Sequence, residues 1–282
     1  MTPKPLAVFP HLCCLIASAL LAHAAAANNS NPVRLELKQQ PGQDYLLLAH
    51  NVGVAPIALN IQLQLSGGAS SDRGQLIKTV APPGTTTTLA RIKLANRPGN
   101  QGIGWRARQS VGDPRAVHDP EARYRLPFPT GQTHPVGQAP GGKLTTHDSP
   151  QARDAVDITL PRGTPVLAAR AGWVIDNVRY YGEGAPSQDQ LMRANYVRIL
   201  HDDGTWAVYA HLDSFSNSLA PGKRVEAGDE IGRSGNSGYS SGPHLHFVVQ
   251  KNGGAQPVSL PFQFWTEGMG AFRPRQGQLL SH

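Results

Sequence analysis

The chain has 282 residues, of which 30 are Gly and 24 are Pro, and this length predicts two domains rather than one core. Turn residues interrupt the apolar runs about every ten residues and few windows have a helical period, so a mainly β protein is predicted. The formal net charge is +7. The sequence shows no basic helix and no aromatic-basic sheet motif, however, so we expect no nucleic-acid partner.

The first 27 residues have the features of a secretory signal peptide. Lys4 supplies a positive start, an apolar stretch follows over residues 12–22, and small residues at 22–27 offer a cleavage site. The stretch is too short and too interrupted for a comfortable membrane span, although an uncleaved anchor is the alternative. We therefore expect export to the periplasm or cell envelope, with no stable membrane span after cleavage.

Both cysteines, Cys13 and Cys14, lie within this segment. The residues before them do not form the pattern of a lipoprotein cleavage site. The mature chain would then contain no cysteine, so we expect neither a disulfide nor a thiolate metal site. Histidine and carboxylate side chains are left as its metal ligands.

Residues 28–125 are predicted to form an immunoglobulin-like β-sandwich. Apolar and polar residues alternate over 33–37 and 57–65, and a Pro-Pro-Gly turn at 82–84 leads towards a further strand over 89–94. No catalytic motif is present in this segment. We expect it to be a spacer, a docking surface for another envelope protein or a glycan, or a cover over an active-site groove.

The second predicted domain, residues 126–282, is an antiparallel β-sheet domain with tight turns. Its expected strands cover residues 172–176, 195–201, 206–211, 230–232 and 244–250. A polar insert at 180–193 and a Gly-rich loop at 235–242 are natural walls for a groove that admits an extended peptide. For the insert, a plain surface loop is an equally good interpretation.

Two histidines close to the end of this domain indicate a metal site. His244 and His246 alternate with apolar residues, so a strand here would send both imidazoles to one face of the sheet. Asp157 lies in the middle of an apolar, β-branched run, where a carboxylate is costly unless it is paired or metal-bound. Imidazole and carboxylate groups are the usual non-thiolate ligands of zinc.

The order of several short motifs gives a resemblance to a known family. The matching segments are Thr146-His147, Asp154-Ala155-Val156-Asp157, Gly163-Thr164-Pro165-Val166, residues 168–174, Tyr209-Ala210-His211-Leu212 and Gly242-Pro243-His244-Leu245-His246-Phe247. Over roughly residues 130 to 265 the chain resembles the zinc metallopeptidases of the lysostaphin and LytM type (peptidase family M23), which cut peptidoglycan peptides. The resemblance implies an antiparallel β-sheet metallopeptidase domain.

By this resemblance, three residues are implied as ligands of Zn²⁺ and two as catalytic histidines. The ligands are His147, Asp157 and His246, and the catalytic pair is His211 and His244. Many family members carry the first histidine four residues before the aspartate, where this chain has Arg153. Another branch carries it ten residues before, and the spacing from His147 to Asp157 fits that branch.

The function implied by the resemblance is an exported zinc metalloendopeptidase that hydrolyses bonds in peptidoglycan cross-links or stem peptides. Peptidoglycan peptides are its expected partner, together with other envelope proteins through the first domain. The alternatives are a non-enzymatic activator of cell-wall amidases and a peptidoglycan-binding module. All five site positions are filled, which favours the enzyme. A basic chain of this kind is also suited to long-range attraction of anionic wall polymer.

One further histidine serves as a comparison. His201 ends a predicted strand directly before the turn Asp202-Asp203-Gly204. We expect it to be a surface turn residue without a metal role, and we expect the two aspartates to stabilise the turn.

Overall fold

The computed structural model describes residues 33–42, 44–96, 99–143, 145–213 and 219–282. The predicted signal peptide, with Cys13 and Cys14, lies outside the described residues. Within them, the regular structure is twenty β-strands and one short 3-10 turn at Gln188–Gln190, so the prediction of a mainly β protein is confirmed. The described part contains no helix with the length and apolar character needed to cross a membrane.

The first seven strands form two antiparallel sheets that enclose one core. One sheet has the strand order β1-β2-β6-β4 and the other has the order β5-β3-β7. The strands are β1 (Val33–Gln39), β2 (Asp44–Asn51), β3 (Ile57–Ser66), β4 (Ser70–Ser71), β5 (Leu76–Ala81), β6 (Thr86–Lys93) and β7 (Gly102–Val111). This is the two-sheet sandwich architecture that the immunoglobulin-like prediction requires.

Strand β3 shows why these residues form a sandwich. Ile57, Leu59, Ile61 and Leu63 are buried, whereas the residues between them at 60 and 62 are exposed. Successive side chains on a strand point to opposite faces, so the apolar set lies in the core and the polar set faces solvent.

The remaining strands form a second, larger structure. They are β8 (Thr133–Gln138), β9 (Val156–Ile158), β10 (Pro165–Leu167), β11 (Gly172–Val178), β12 (Tyr196–Leu200), β13 (Trp206–Ala210), β14 (Arg224–Val225), β15 (Glu230–Arg233), β16 (Leu245–Asn252), β17 (Pro257–Leu260), β18 (Phe264–Thr266), β19 (Gly270–Phe272) and β20 (Leu279–Ser281). Nine of them make one antiparallel sheet of order β14-β11-β12-β13-β16-β9-β8-β20, with β17 also paired to β16. Two small ladders, β10-β15 and β18-β19, complete the set.

Strand β16 is central to this sheet. It pairs with β13 along one edge, while its other edge pairs first with β9 and then with β17. Phe247 is fully buried, and its ring contacts Tyr209 edge-on at 5.1 Å between centroids. Because the apolar side chains of β16 pack on one face of the sheet, His246 points to the other face. Its neighbour on that face comes from the adjacent strand β9.

Residues of the sandwich and of the nine-stranded sheet contact each other. Asn252 Nδ2 donates to Gly112 O at 2.9 Å. Gly112 has φ 87°, and a Cβ atom there would lie 2.8 Å from the Trp206 ring, so the close approach requires glycine. The predicted division into domains at about residue 125 stays a prediction.

Candidate active site

The aspartate and one histidine of the predicted metal site lie on neighbouring strands. Asp157 in β9 is the register partner of His246 in β16. Asp157 Oδ1 lies 2.9 Å from His246 Nδ1. Directly opposite residues on antiparallel strands point to the same face, so strand pairing alone brings these two groups together.

His147 reaches the same carboxylate from the loop between β8 and β9. Its Nε2 atom lies 3.3 Å from Asp157 Oδ2. The loop is held in place because His147 N donates to Thr145 Oγ1 and the neighbouring Thr146 N donates to Gln138 Oε1. One ligand atom from each of His147, Asp157 and His246 can be chosen so that all three lie within 4.8 Å of one another.

The electrostatics of this group suit a cation. Asp157 is 5% exposed and His147 is 8% exposed. Burial alone would raise the pKa of the Asp157 carboxyl, but hydrogen bonds from His147 and His246, and their charge when protonated, hold the pKa well below its usual value. The carboxylate therefore stays ionised, as a metal ligand must be.

Arg153, the residue at the commoner histidine position, takes no part in this group. Its side chain is exposed, and its backbone N–H donates to Ser149 O in the turns before β9. A guanidinium has no lone pair to offer a metal. The loop histidine occupies the third position instead.

The two predicted catalytic histidines lie just beyond strand ends, beside the cluster of His147, Asp157 and His246. Strand β13 ends at Ala210 and β16 begins at Leu245, so His211 and His244 are each one residue outside the strands that were predicted to include them. His211 has φ 62°, a left-handed conformation that cannot continue a strand. The His211 and His244 ring centroids are 4.5 Å apart, and His244 Nε2 is 3.8 Å from Asp157 Oδ2.

Backbone carbonyls fix the orientation of both imidazoles. His211 Nδ1 lies 2.6 Å from Ser237 O, and His244 Nδ1 lies 2.8 Å from Gly242 O. A carbonyl only accepts hydrogen bonds, so each Nδ1 atom carries the proton and each neutral ring keeps a lone pair on Nε2. Burial, with smaller contributions from His244 and His246, lowers the pKa of His211 to about 3. His211 is therefore neutral at neutral pH.

Ser237, which was not predicted as a site residue, holds the 235–242 loop in place. Ser237 Oγ accepts from Asn195 N at 3.0 Å and donates to Leu212 O at 2.8 Å. These bonds tie the 235–242 loop to the segments that carry His211. No sequence motif marks Ser237, because its contact with His211 is made by a backbone carbonyl.

An open cleft adjoins the cluster of His147, Asp157 and His246. Its volume is about 670 Å³, and its lining includes Asp157, His244, Lys143, Thr145 and Pro243. The predicted insert packs against the glycine-rich loop: Gly184 N donates to Asn236 O and Ala185 N donates to Gly238 O. The insert therefore supports the loop that leads to His244.

His201 differs from the expectation of a surface residue. It is 2% exposed, and its Nδ1 atom donates to Ala171 O at 2.8 Å. The ring packs edge-on against Tyr124 at 5.6 Å between centroids. The turn itself is as predicted, because Asp203 Oδ1 accepts from Thr205 N at 3.0 Å. His201 lies outside the cluster of His147, Asp157 and His246.

Two imidazoles and a carboxylate close together could hold a metal ion, and two further imidazoles lie beside them, which is the arrangement that metallohydrolases use. Comparison with known families agrees. Residues 151–258 match the model of peptidase family M23. The match includes Asp157, His211, His244 and His246, and begins after His147.

Three similar proteins illustrate the relationship. An "Uncharacterized metalloprotease" of Haemophilus influenzae is 33% identical over 158 residues, which is 55% of this chain and 29% of that protein. The "DD-carboxypeptidase/endopeptidase Mpg" of Neisseria meningitidis is 38% identical over 104 residues, which is 37% of this chain and 21% of that protein. The solved catalytic domain of lysostaphin from Staphylococcus simulans is 25% identical, with 50% of this chain and 89% of that domain covered and a TM-score of 0.33. The chain spans less than a third of the length of these two curated relatives.

Proposed function

We propose that this protein is a zinc metalloendopeptidase that hydrolyses peptide bonds in peptidoglycan cross-links or stem peptides. The observation that carries the proposal is the meeting of five residues, distant in sequence, at one end of β16. The five are His147, Asp157, His211, His244 and His246.

The proposed zinc ligands are His147, Asp157 and His246. Their chemistry fits the metal, since two imidazoles and one carboxylate leave a fourth position open. A second observation also supports a bound metal: the Nδ1 atom of His147 is buried and has no hydrogen-bond partner in the described part of the chain. A buried polar atom without a partner is costly, and a bound group at this site is one explanation of it.

When bound, zinc lowers the pKa of its water ligand towards neutrality and polarises the scissile carbonyl. The proton transfers are then assigned to His211 and His244. Because Nδ1 of each ring donates to a backbone carbonyl, the neutral form of either ring has its lone pair on Nε2, and one of the two rings can take the proton of the attacking water. The other, once protonated, can stabilise the oxyanion or donate to the leaving amine. Hydrogen bonds from Nδ1 to Ser237 O and Gly242 O keep both rings oriented for this.

The substrate class is supported by the relatives and by the cleft. The Neisseria relative is named a carboxypeptidase and endopeptidase, and another, from Vibrio cholerae, is named a peptidoglycan DD-endopeptidase. An open cleft beside the site suits an extended peptide. Peptidoglycan as substrate also agrees with the signal peptide predicted at residues 1–27, and we propose an envelope location for the protein.

The test is digestion of purified peptidoglycan of several wall chemistries by the zinc-loaded protein, with mass analysis of the released fragments. We expect fragments that have gained one water across a peptide bond. The variant His246→Ala should release none. Wild-type protein that releases no fragment from any wall type would contradict the proposal and favour the non-enzymatic module.

A further inference from the structure

The outer face of the sheet β5-β3-β7 carries an unusual set of side chains. Lys78, Asn60 and Arg108 lie directly opposite one another across the three strands. Leu76, Gln62 and Arg106 form the next row in the same way. All six side chains are exposed. The face therefore presents three cations beside two amide side chains on adjoining strands.

These cations are not neutralised by their surroundings. The outward-facing positions of the three strands, at 58–64, 76–80 and 104–110, contain no Asp or Glu. Among the described residues, Lys78, Arg106 and Arg108 have no ion-pair partner. The nearby Asp113 is already engaged, because its Oδ2 atom accepts from Arg115 Nη2 at 2.8 Å. The face therefore has a net positive charge.

A groove covers one end of this face. Its volume is about 1020 Å³, and Asn60, Lys78 and Arg108 are in its lining. Gly254 and Ala255, which lie between β16 and β17, line it as well. The groove is thus bounded by the sandwich on one side and by the sheet that carries His246 on the other.

We propose that this groove binds peptidoglycan through the free carboxylates of its stem peptides. This inference rests on the proposed function. Guanidinium and ammonium groups pair with carboxylates, and arginine does so with two parallel hydrogen bonds. Asn60 in the groove, and Gln62 in the next row of the same face, offer both donors and acceptors to the hydroxyl and amide groups of such a polymer. An exposed row of this kind attracts a repeating polyanion better than a single small ligand, since several weak contacts act together. The groove would hold the polymer while the zinc site cuts it.

The test compares two triple variants of equal charge change. The first, called the groove variant, is Lys78→Gln, Arg106→Gln and Arg108→Gln together, which removes the three cations of this sheet face; Lys78 and Arg108 line the groove, and Arg106 lies in the next row. The second, called the control variant, is Lys38→Gln, Arg73→Gln and Lys93→Gln together, which removes three exposed cations elsewhere on the sandwich. Each protein is sedimented with intact sacculi in the presence of chelator, and its turnover of a soluble cross-linked muropeptide is measured separately with zinc.

The groove variant should bind sacculi about tenfold more weakly than wild type, with a smaller dependence on salt. The control variant should bind like wild type, and all three proteins should cleave the soluble muropeptide equally. Sacculi whose carboxylates have been amidated should bind wild type as weakly as native sacculi bind the groove variant. Equal binding by the two triple variants, or undiminished binding of wild type to amidated sacculi, would overturn the inference. Failure of wild type to cleave the muropeptide would instead count against the proposed function.

Discussion

Asp157 and His246 face each other across the β9–β16 pair, with Asp157 Oδ1 2.9 Å from His246 Nδ1. This pair fixes the position of the whole candidate site. His147 approaches the other carboxylate oxygen, and His244 lies one residue before the strand that carries His246. The proposed roles of these residues lead to separate predictions.

Substituting His246 should abolish both metal binding and hydrolysis. His246→Ala removes one of three proposed protein ligands, so we expect less than one zinc per chain after gel filtration and no turnover. Elemental analysis of the folded variant, beside wild type at about one zinc per chain, checks this. A His246→Ala protein that retains full zinc would show that the metal is held elsewhere.

Substituting His211 should separate catalysis from metal binding. His211→Asn removes the imidazole and keeps a residue that tolerates a positive φ, so the backbone at 62° should be preserved. We expect full zinc content and a fall in turnover of about 10²-fold or more, the usual effect of losing an acid–base group. The measurements are zinc analysis and initial rates on a cross-linked muropeptide. Zinc loss equal to that of His246→Ala would mean that the roles are assigned wrongly.

The loop histidine and the arginine near it give a matched comparison. His147→Ala should weaken zinc binding and abolish hydrolysis, because Nε2 of His147 lies 3.3 Å from the Asp157 carboxylate. Arg153→Ala should keep its zinc, since Arg153 is exposed and is not one of the three proposed ligands. Competition with a chelating dye measures both affinities. Unchanged affinity in His147→Ala would assign the third ligand to another residue.

His201 should make the fold sensitive to mild acid. Burial lowers its pKa to about 4 in the folded protein, against an ordinary value of 6.5. Between these two values the unfolded chain binds a proton that the folded chain does not, so the free energy of unfolding should fall as the pH drops from about 6.5 to 4. The loss is on the order of 3 kcal/mol for a difference of this size.

The check is urea unfolding of wild type and His201→Gln at several pH values, with chelator present. The glutamine cannot titrate in this range, so the free energy of unfolding of the variant should depend less steeply on pH. Parallel curves for the two proteins would show that His201 is not responsible.

The sequence predicts the side-chain chemistry of the site better than its geometry. The alternation around His244 and His246 and the apolar run around Asp157 are local patterns, and they mark these side chains as candidate metal-site residues. That Asp157 lies opposite His246, by contrast, depends on strand register between residues 89 positions apart. Register is set by packing of the whole sheet and cannot be read from either segment alone.

Other features are not visible in the sequence for different physical reasons. The positive φ of His211 and the carbonyl of Ser237 that orients it belong to the backbone, which no side-chain pattern reports. The burial of His201 was missed because a polar residue before a turn is usually exposed. Here its ring packs on Tyr124, which comes from a segment 77 residues earlier.

The most direct test of the central claim is a zinc titration of activity. The protein is freed of metal with chelator, zinc is added back in small steps, and cleavage of a cross-linked peptidoglycan peptide is followed by mass spectrometry. We expect no cleavage without metal, a linear rise with added zinc, and a plateau at about one zinc per chain. Cleavage by the metal-free protein, or no cleavage at full zinc occupancy, would contradict the account.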